Sequence, residues 1–359
     1  MTEQSVVKWI WLSELCGGGR NTASELLAVY GSPEQVFDNR GDPKIAEIVG
    51  ARRAAEIGRG LADRAVTIFE KCLDKGICPV PLVDRRYPAL LAGLSSAPPV
   101  LYVTGQPDTL MRICVSGVGT RRMSAYGKQA AGEIFRPLAR SGLCLVSGLA
   151  FGVDAEVHKA AVTEGGITIA VLGCPIDETA PTGHAELRRL IEQDGAVISE
   201  YPPMPREYNK ATYPLRNRII AGMSKVLAVV ECSLRSGTMS TVNWALDFGR
   251  EIFAVPGRIT DEASVGCNSL ISRGAAPLCS AGDILERYGI ADVGRDTVKS
   301  QAEMSDEAAV VLTRLYNQPY TEEELSADLN IPGFRLMPIL TELEVGGFII
   351  KRNSRYEAF

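Results

Sequence analysis

Histidine is scarce: this chain of 359 residues carries 2, His158 and His184. Neither has a serine, cysteine or acid at a spacing that would build a nucleophilic site, and both read as surface positions on helices. Paired cysteines are missing too. The 9 cysteines are scattered, none as C-x-x-C, which excludes the usual zinc frameworks. Most lie in apolar segments such as "ICVSGV" and "CLVSGL", as buried thiols in a reducing cytosol would. No run approaches a membrane span, and the opening "MTEQSVVKWIWLSEL" lacks a basic leader and a long apolar core. A cytoplasmic protein without membrane contact is expected. Excess positive charge is also absent: the net charge is −5, so any anion site must be local.

Two nucleotide signatures are lacking. No G-x-x-x-x-G-K-[ST] occurs, so a P-loop is excluded. The G-x-G of Gly117 and Gly119 is followed by Arg122 where a dinucleotide fingerprint needs its third glycine. The next strand ends in Ser147-Gly148, with no acid for a ribose hydroxyl. No cofactor and no metal are expected.

What is present is order. A length of 359 residues exceeds one ordinary core and predicts two or three domains. Residues 1–75 read as short helices stopped by glycine, of helix–hairpin–helix or SAM type. Residues 76–111 read as an extended connecting segment broken by prolines. From 112 to 290, strand-like runs at 113–118, 144–147, 168–172, 196–200, 226–231 and 251–256 alternate with helical ones. Continuous apolar strands in that alternation predict an α/β fold with a doubly wound parallel sheet. Residues 291–303 read as a linker, and 304–359 as three helices and a two-stranded wing, a winged helix.

Ligands in such sheets sit beyond the carboxyl ends of the strands, and four loops there share one chemistry. "SGVGTRRMS" sets Arg121 and Arg122 beside a glycine turn into a helix, a cradle for phosphate; a tight turn with two solvated arginines fits the same residues. "SGLAFGVDAEVHKAA" repeats the glycine turn, with Asp154 placed to cap or pin it. "EYPPMPREYNKATYPLRNRIIAG" interleaves Arg206, Lys210, Arg216 and Arg218 with Tyr208 and Tyr213, which suits a single strand whose bases stack while its phosphates meet cations. "LRSGTMST" sets Gly237 between hydroxyls. Arg216 and Arg218 are expected to point out of a helix N-terminus, one toward the ligand and the other bridging to a buried acid such as Glu200 or Glu231.

At "GTRRMSAYGKQ", "SGLAFGVDAEVHKAA", "TIAVLGCPID", "YPLRNRIIAGMS", "SGTMSTVNWAL", "GREIFAVPG" and "GCNSLISRGA" the chain resembles the DNA-processing protein A (DprA/Smf) family. That resemblance implies a Rossmann-like domain that binds single-stranded DNA without sequence choice and catalyses nothing. It implies a homodimer through that domain and delivery of the strand to the RecA recombinase in natural transformation. Carried over by position, the strand would meet Gly119, Thr120 and Arg121; Ser147, Gly148 and Gly152; Lys210, Tyr213, Arg216 and Asn217; and Ser236, Gly237 and Thr238. Members usually carry Gly-Ser-Arg in the first loop, and Thr120 keeps the hydroxyl. After "GCPID" the usual Tyr-Pro and later Asn are here Ala180-Pro181 and His184.

Two rivals stand beside this reading. One is a nucleotide-cleaving, phosphoribohydrolase-like enzyme, which would need a Pro-Gly-Gly-x-Gly-Thr loop and a catalytic Glu; the loop here is Leu-Arg-Ser-Gly-Thr, with Glu231 the only nearby acid. The other is a small-nucleotide binder with the winged helix as output. Residues 304–359 are net acidic, which favours a protein partner over duplex for that module.

Overall fold

The computed structural model describes every residue except 19–20, 204–211, 291–305, 346–348, 353–354 and 359. The expected linker 291–303 lies outside the described residues. The chain forms two compact units, Met1–Asp292 and Val293–Phe359.

The first unit is built on one sheet: β1 (Cys78–Pro81), β2 (Val100–Gly105), β3 (Cys114–Val118), β4 (Cys144–Ser147), β5 (Thr168–Leu172), β6 (Ala196–Ser199), β7 (Val226–Val229), β8 (Glu251–Ala254) and β9 (Ala276–Pro277). Their order is β1-β2-β6-β5-β4-β3-β7-β8-β9. From β6 to β9 every pairing is parallel. The apolar runs are buried along their length because helices cover both faces. This is the Rossmann-like α/β fold expected. The segment 76–111 does more than connect: β2 adds to β6 and β1 to β2, both antiparallel, so that edge of the sheet is mixed. Pro79, Pro81, Pro98 and Pro99 hide this from a pattern reading, and β1, at the sheet edge, can carry two of them.

Alternating side chains divide the sheet between two cores. One face sends Val118, Val146, Leu227 and Val229 against the helices Thr212–Gly222, Thr238–Asp247 and Val265–Ser272. The other sends Val115, Leu145 and Ala228 against Ala125–Arg140 and Val153–Thr163. Further along that second face, Tyr102, Ala170 and Val197 share a core with Trp9, Trp11, Leu12 and Leu26 of the amino-terminal helices. Those helices run from Glu3–Cys16 to Leu61–Asp74, and Arg64 Nε binds Glu14 Oε2 at 2.6 Å between the two.

His158 corrects the surface reading. It is fully buried on the inner side of Val153–Thr163, with Val157 and Ala161. The Thr168 hydroxyl donates to the Leu145 carbonyl at 2.7 Å, so it accepts from His158 Nδ1, also at 2.7 Å. Burial, aided by His184 and Arg216, pushes the imidazole down to about 3, so it is neutral at physiological pH. The cysteines are free, and all but Cys78 and Cys279 are buried.

The second unit has helices Asp306–Asn317, Glu322–Leu329 and Gly333–Val345, followed by β10 (Ile349–Arg352) paired antiparallel with β11 (Arg355–Ala358). Its core gathers Val311, Leu315, Leu325, Leu340 and Tyr356. A complete capping box opens the second helix: Thr321 Oγ1 accepts from Glu324 N, and Glu324 Oε2 accepts from Thr321 N. Among the described residues no helix is long and apolar enough to cross a membrane.

Candidate nucleic-acid interface

Strand order turns around between β3 and β7: β4, β5 and β6 follow on one side of β3, β8 and β9 on the far side of β7. The loops leaving these two neighbours must part, and a crevice opens where they do. It is an open cavity of about 860 Å³. Of the residues expected at the site, Gly119, Thr120, Arg121, Gly148, Tyr213, Arg216, Asn217, Ser236, Gly237 and Thr238 line it. Ser147 and Gly152 do not, and Lys210, like Arg206 and Tyr208, lies outside the described residues.

The two residues that miss the cavity hold its walls. Ser147 is fully buried and its hydroxyl donates to the Gly117 carbonyl across the sheet at 2.7 Å. Gly152 has φ +78°, and a β-carbon there would lie 2.2 Å from the Thr120 carbonyl oxygen. That glycine lets the second loop lie against the first, where Val153 N donates to Thr120 O at 3.1 Å. Gly237 is the opposite case. Its φ is −59°, and a β-carbon would meet nothing within 4 Å, so packing does not require glycine there. Beside it, Ser236 Oγ is buried without a partner among the described residues.

Arg121 and Arg122 stand exposed at the rim, with no partner for either guanidinium among the described residues. Arg216 and Arg218 do not protrude as expected. The helix begins at Thr212, ahead of both, and draws them inside to 5% and 1% exposure. Arg218 forms the expected bridge to a buried acid, with Nη2 2.7 Å from Glu200 Oε2. Arg216 lines the cavity floor, where Nη1 donates to the Gly148 carbonyl at 2.7 Å and to that of Val171. Gly148 leaves the room: a β-carbon would lie 2.4 Å from that Nη1. Burial lowers the Arg216 pKa, and neighbouring Asp154 works against the shift. The Asp154 carboxyl is raised, first by burial, with Arg216 opposing. The floor thus holds a buried arginine tied to backbone carbonyls with Asp154 also in the lining, and among the described residues the unpartnered cations of this cavity are Arg121 and Arg122 at the rim.

Phe151 was not singled out from sequence. It lies in the cavity wall at 52% exposure, edge-on to His184 with ring centroids 4.7 Å apart. His184 Nδ1 is itself 2.8 Å from the Leu149 carbonyl. The available signal was an aromatic residue inside a small-residue loop, "GLAFG", at the end of a strand. Ala180 and Pro181 complete that wall. Tyr213 is half-buried, its ring laid on Gly173, where a β-carbon would be 2.9 Å from Cδ1. Among the described residues no group of three His, Cys, Asp or Glu could hold a metal ion.

Known proteins resemble this chain in sequence and fold. The family described as DNA recombination-mediator protein A matches residues 79–289. DNA processing protein DprA of Streptococcus pneumoniae is 36% identical over 270 residues, 74% of this chain and 94% of that protein. An X-ray structure of that species' DprA superposes with a TM-score of 0.66 at 33% identity, covering 80% of this chain and 98% of that one. DNA processing protein A from Helicobacter pylori, in a structure described for its single-stranded DNA binding mode, superposes with a TM-score of 0.53. Its identity is 28%, and 59% of this chain and 95% of that one are covered.

Proposed function

The chain belongs to the DNA recombination-mediator protein A family, and from that premise we propose that it binds single-stranded DNA without sequence choice. The observation that carries this is the division of the crevice: free arginines at the rim and accessible rings in the walls. Arg121 and Arg122 meet phosphates, while Phe151 and Tyr213 offer faces to unstacked bases. Arg216 sets the floor from within and adds little free charge. A recessed crevice between loops does not match the helix or ribbon that reads a duplex groove. The protein acts here by binding, in the cytoplasm, as a homodimer through the Rossmann-like domain, and passes the strand to the RecA recombinase in transformation. These partners come from the family resemblance.

The nucleotide-cleaving alternative needs a free acid beside the fourth loop. Glu231 is 2% exposed and its carboxylate is already engaged by Ser124. The deciding experiment is an equilibrium titration of labelled oligothymidine, blunt duplex and mononucleotides at one salt concentration. The strand should bind far more tightly than either rival. Equal affinity for duplex and strand, or tightest binding of the mononucleotide, would overturn the proposal.

A further inference from the structure

Glu231 lies at the end of β7, outside the cavity lining, yet it touches both ends of the loop that carries the rim arginines. Its backbone carbonyl accepts from Thr120 N at 2.7 Å. Its carboxylate accepts from Ser124 N at 2.9 Å through Oε2 and from Ser124 Oγ at 2.5 Å through Oε1. Between those anchors lie Arg121, Arg122 and Met123. Ser124 then caps the helix Ala125–Arg140, its hydroxyl accepting from Gly127 N at 3.0 Å. The chain also leaves room for this arrangement: a β-carbon on Gly127 would lie 2.3 Å from Glu231 Oε2. A carboxylate withdrawn from water is costly unless its oxygens are occupied, and here neutral donors occupy both.

We propose that Glu231 is the positioning residue of the binding loop: it staples the bight 120–124 at both ends, so that Arg121 and Arg122 are presented in one arrangement before a strand arrives. A guanidinium on an untethered bight would have to be ordered during binding, and that ordering subtracts from affinity. Glutamine is the informative replacement. It keeps the size and one carbonyl acceptor for Ser124 N but puts an NH₂ group where the charged oxygen took the Ser124 hydroxyl proton, so that charge-assisted bond is lost while the backbone bond to Thr120 remains. For DNA affinity the inference rests on the single-strand reading above; the order of the bight is measured separately.

The experiment compares the full chain with E231Q, R121A and the double variant. Oligothymidine affinity is titrated over a range of salt, urea unfolding monitors the fold, and mass spectrometry follows trypsin cleavage after Arg121 and Arg122. E231Q should cut those bonds faster and weaken strand binding by about tenfold, with a shallower salt dependence. In the R121A background it should cost less than about threefold further, because both changes act through one loop. If E231Q proves unfolded, Ser124→Ala removes the hydroxyl half of the staple, leaving only the residue-124 backbone N–H on the carboxylate, and should speed the same two cleavages to a smaller extent. Unchanged cleavage in the folded variant, or fully additive losses of affinity, would overturn the staple. Faster cleavage in a protein that never bound oligothymidine would leave the staple standing and remove the DNA reading instead.

Discussion

Arg218 and Glu200 meet end to end inside the protein, Nη2 to Oε2 at 2.7 Å and Nη1 to Oε1 at 3.2 Å. The amino-terminal turn closes over them: a β-carbon on Gly18 would lie 3.0 Å from Glu200 Oε2. A pair this deep is poor evidence of net stabilisation, but breaking it strands a charge. Glu200→Ala should cost about 3–5 kcal/mol in urea unfolding, whereas methionine at both positions should cost far less. Equal losses in the two variants would mean that packing around the pair, not the stranded charge, sets the cost.

Arg121 has no partner among the described residues, so its loss should leave the unfolding midpoint unchanged while weakening all strand sequences alike. The logarithmic salt slope should fall by about 0.7, one phosphate contact. A wild-type slope in R121A would assign the residue to solvent.

Phe151 and Tyr213 separate stacking from packing. Phe151→Ala should reduce strand affinity by about 1–3 kcal/mol with an unchanged salt slope and little change in stability, since the ring is half in solvent. Tyr213→Ala should lose affinity and stability together, because its ring also rests on Gly173. Paired titrations and urea melts distinguish the two patterns; full affinity in F151A would remove that ring from the site.

His158 makes the fold sensitive to acid. Its native value of about 3 lies below its ordinary 6.5, so between them the unfolded chain binds a proton the native one refuses. Stability should therefore fall as pH drops through that window, by up to about 1.4 kcal/mol per unit from this group. Asp154, whose carboxyl is raised, favours the native state on acidification and makes the net slope shallower. Urea midpoints from neutral to mildly acidic pH should decline in the wild type and decline less in His158→Gln.

The carboxyl-terminal unit should be dispensable for the strand. Phe334 and Met337 are exposed on its last helix, and Arg314, Arg335 and Arg355 are already paired with Asp328, Glu307 and Glu324. Ending the chain after Asp292 should leave single-strand affinity within a few-fold. A large loss from that truncated but folded protein would show that the removed residues carry strand contacts.

The central strands were legible because apolar residues fill positions on both of their faces, as a sheet covered on both sides requires. The edge pair β1 and β2 was legible only as extended pieces broken by prolines, not as paired strands, since the partner that sets β2 into the sheet lies more than ninety residues away, Tyr102 opposite Ser199. The four loops were legible as a set, through glycine, hydroxyl and arginine at strand ends. The fates of single residues were less so. Arg216 carries the same charge as Arg121, but a helix that starts at Thr212 takes it into the floor. Tyr-Pro reads as a break before the arginines, whereas Pro214 sits in the first helical turn, where proline is tolerated. Phe151 was overlooked because one aromatic residue has no periodicity.

The core shared by Trp9, Trp11 and the sheet also sets an order for the chain's birth on the ribosome. The first helices emerge early, but their apolar partners Tyr102, Ala170 and Val197 are still to be made. At about 5–20 residues per second, the wait from the last of these helices to Val197 is on the order of ten seconds. Through that interval the two tryptophans lack the part of their cover that the sheet supplies.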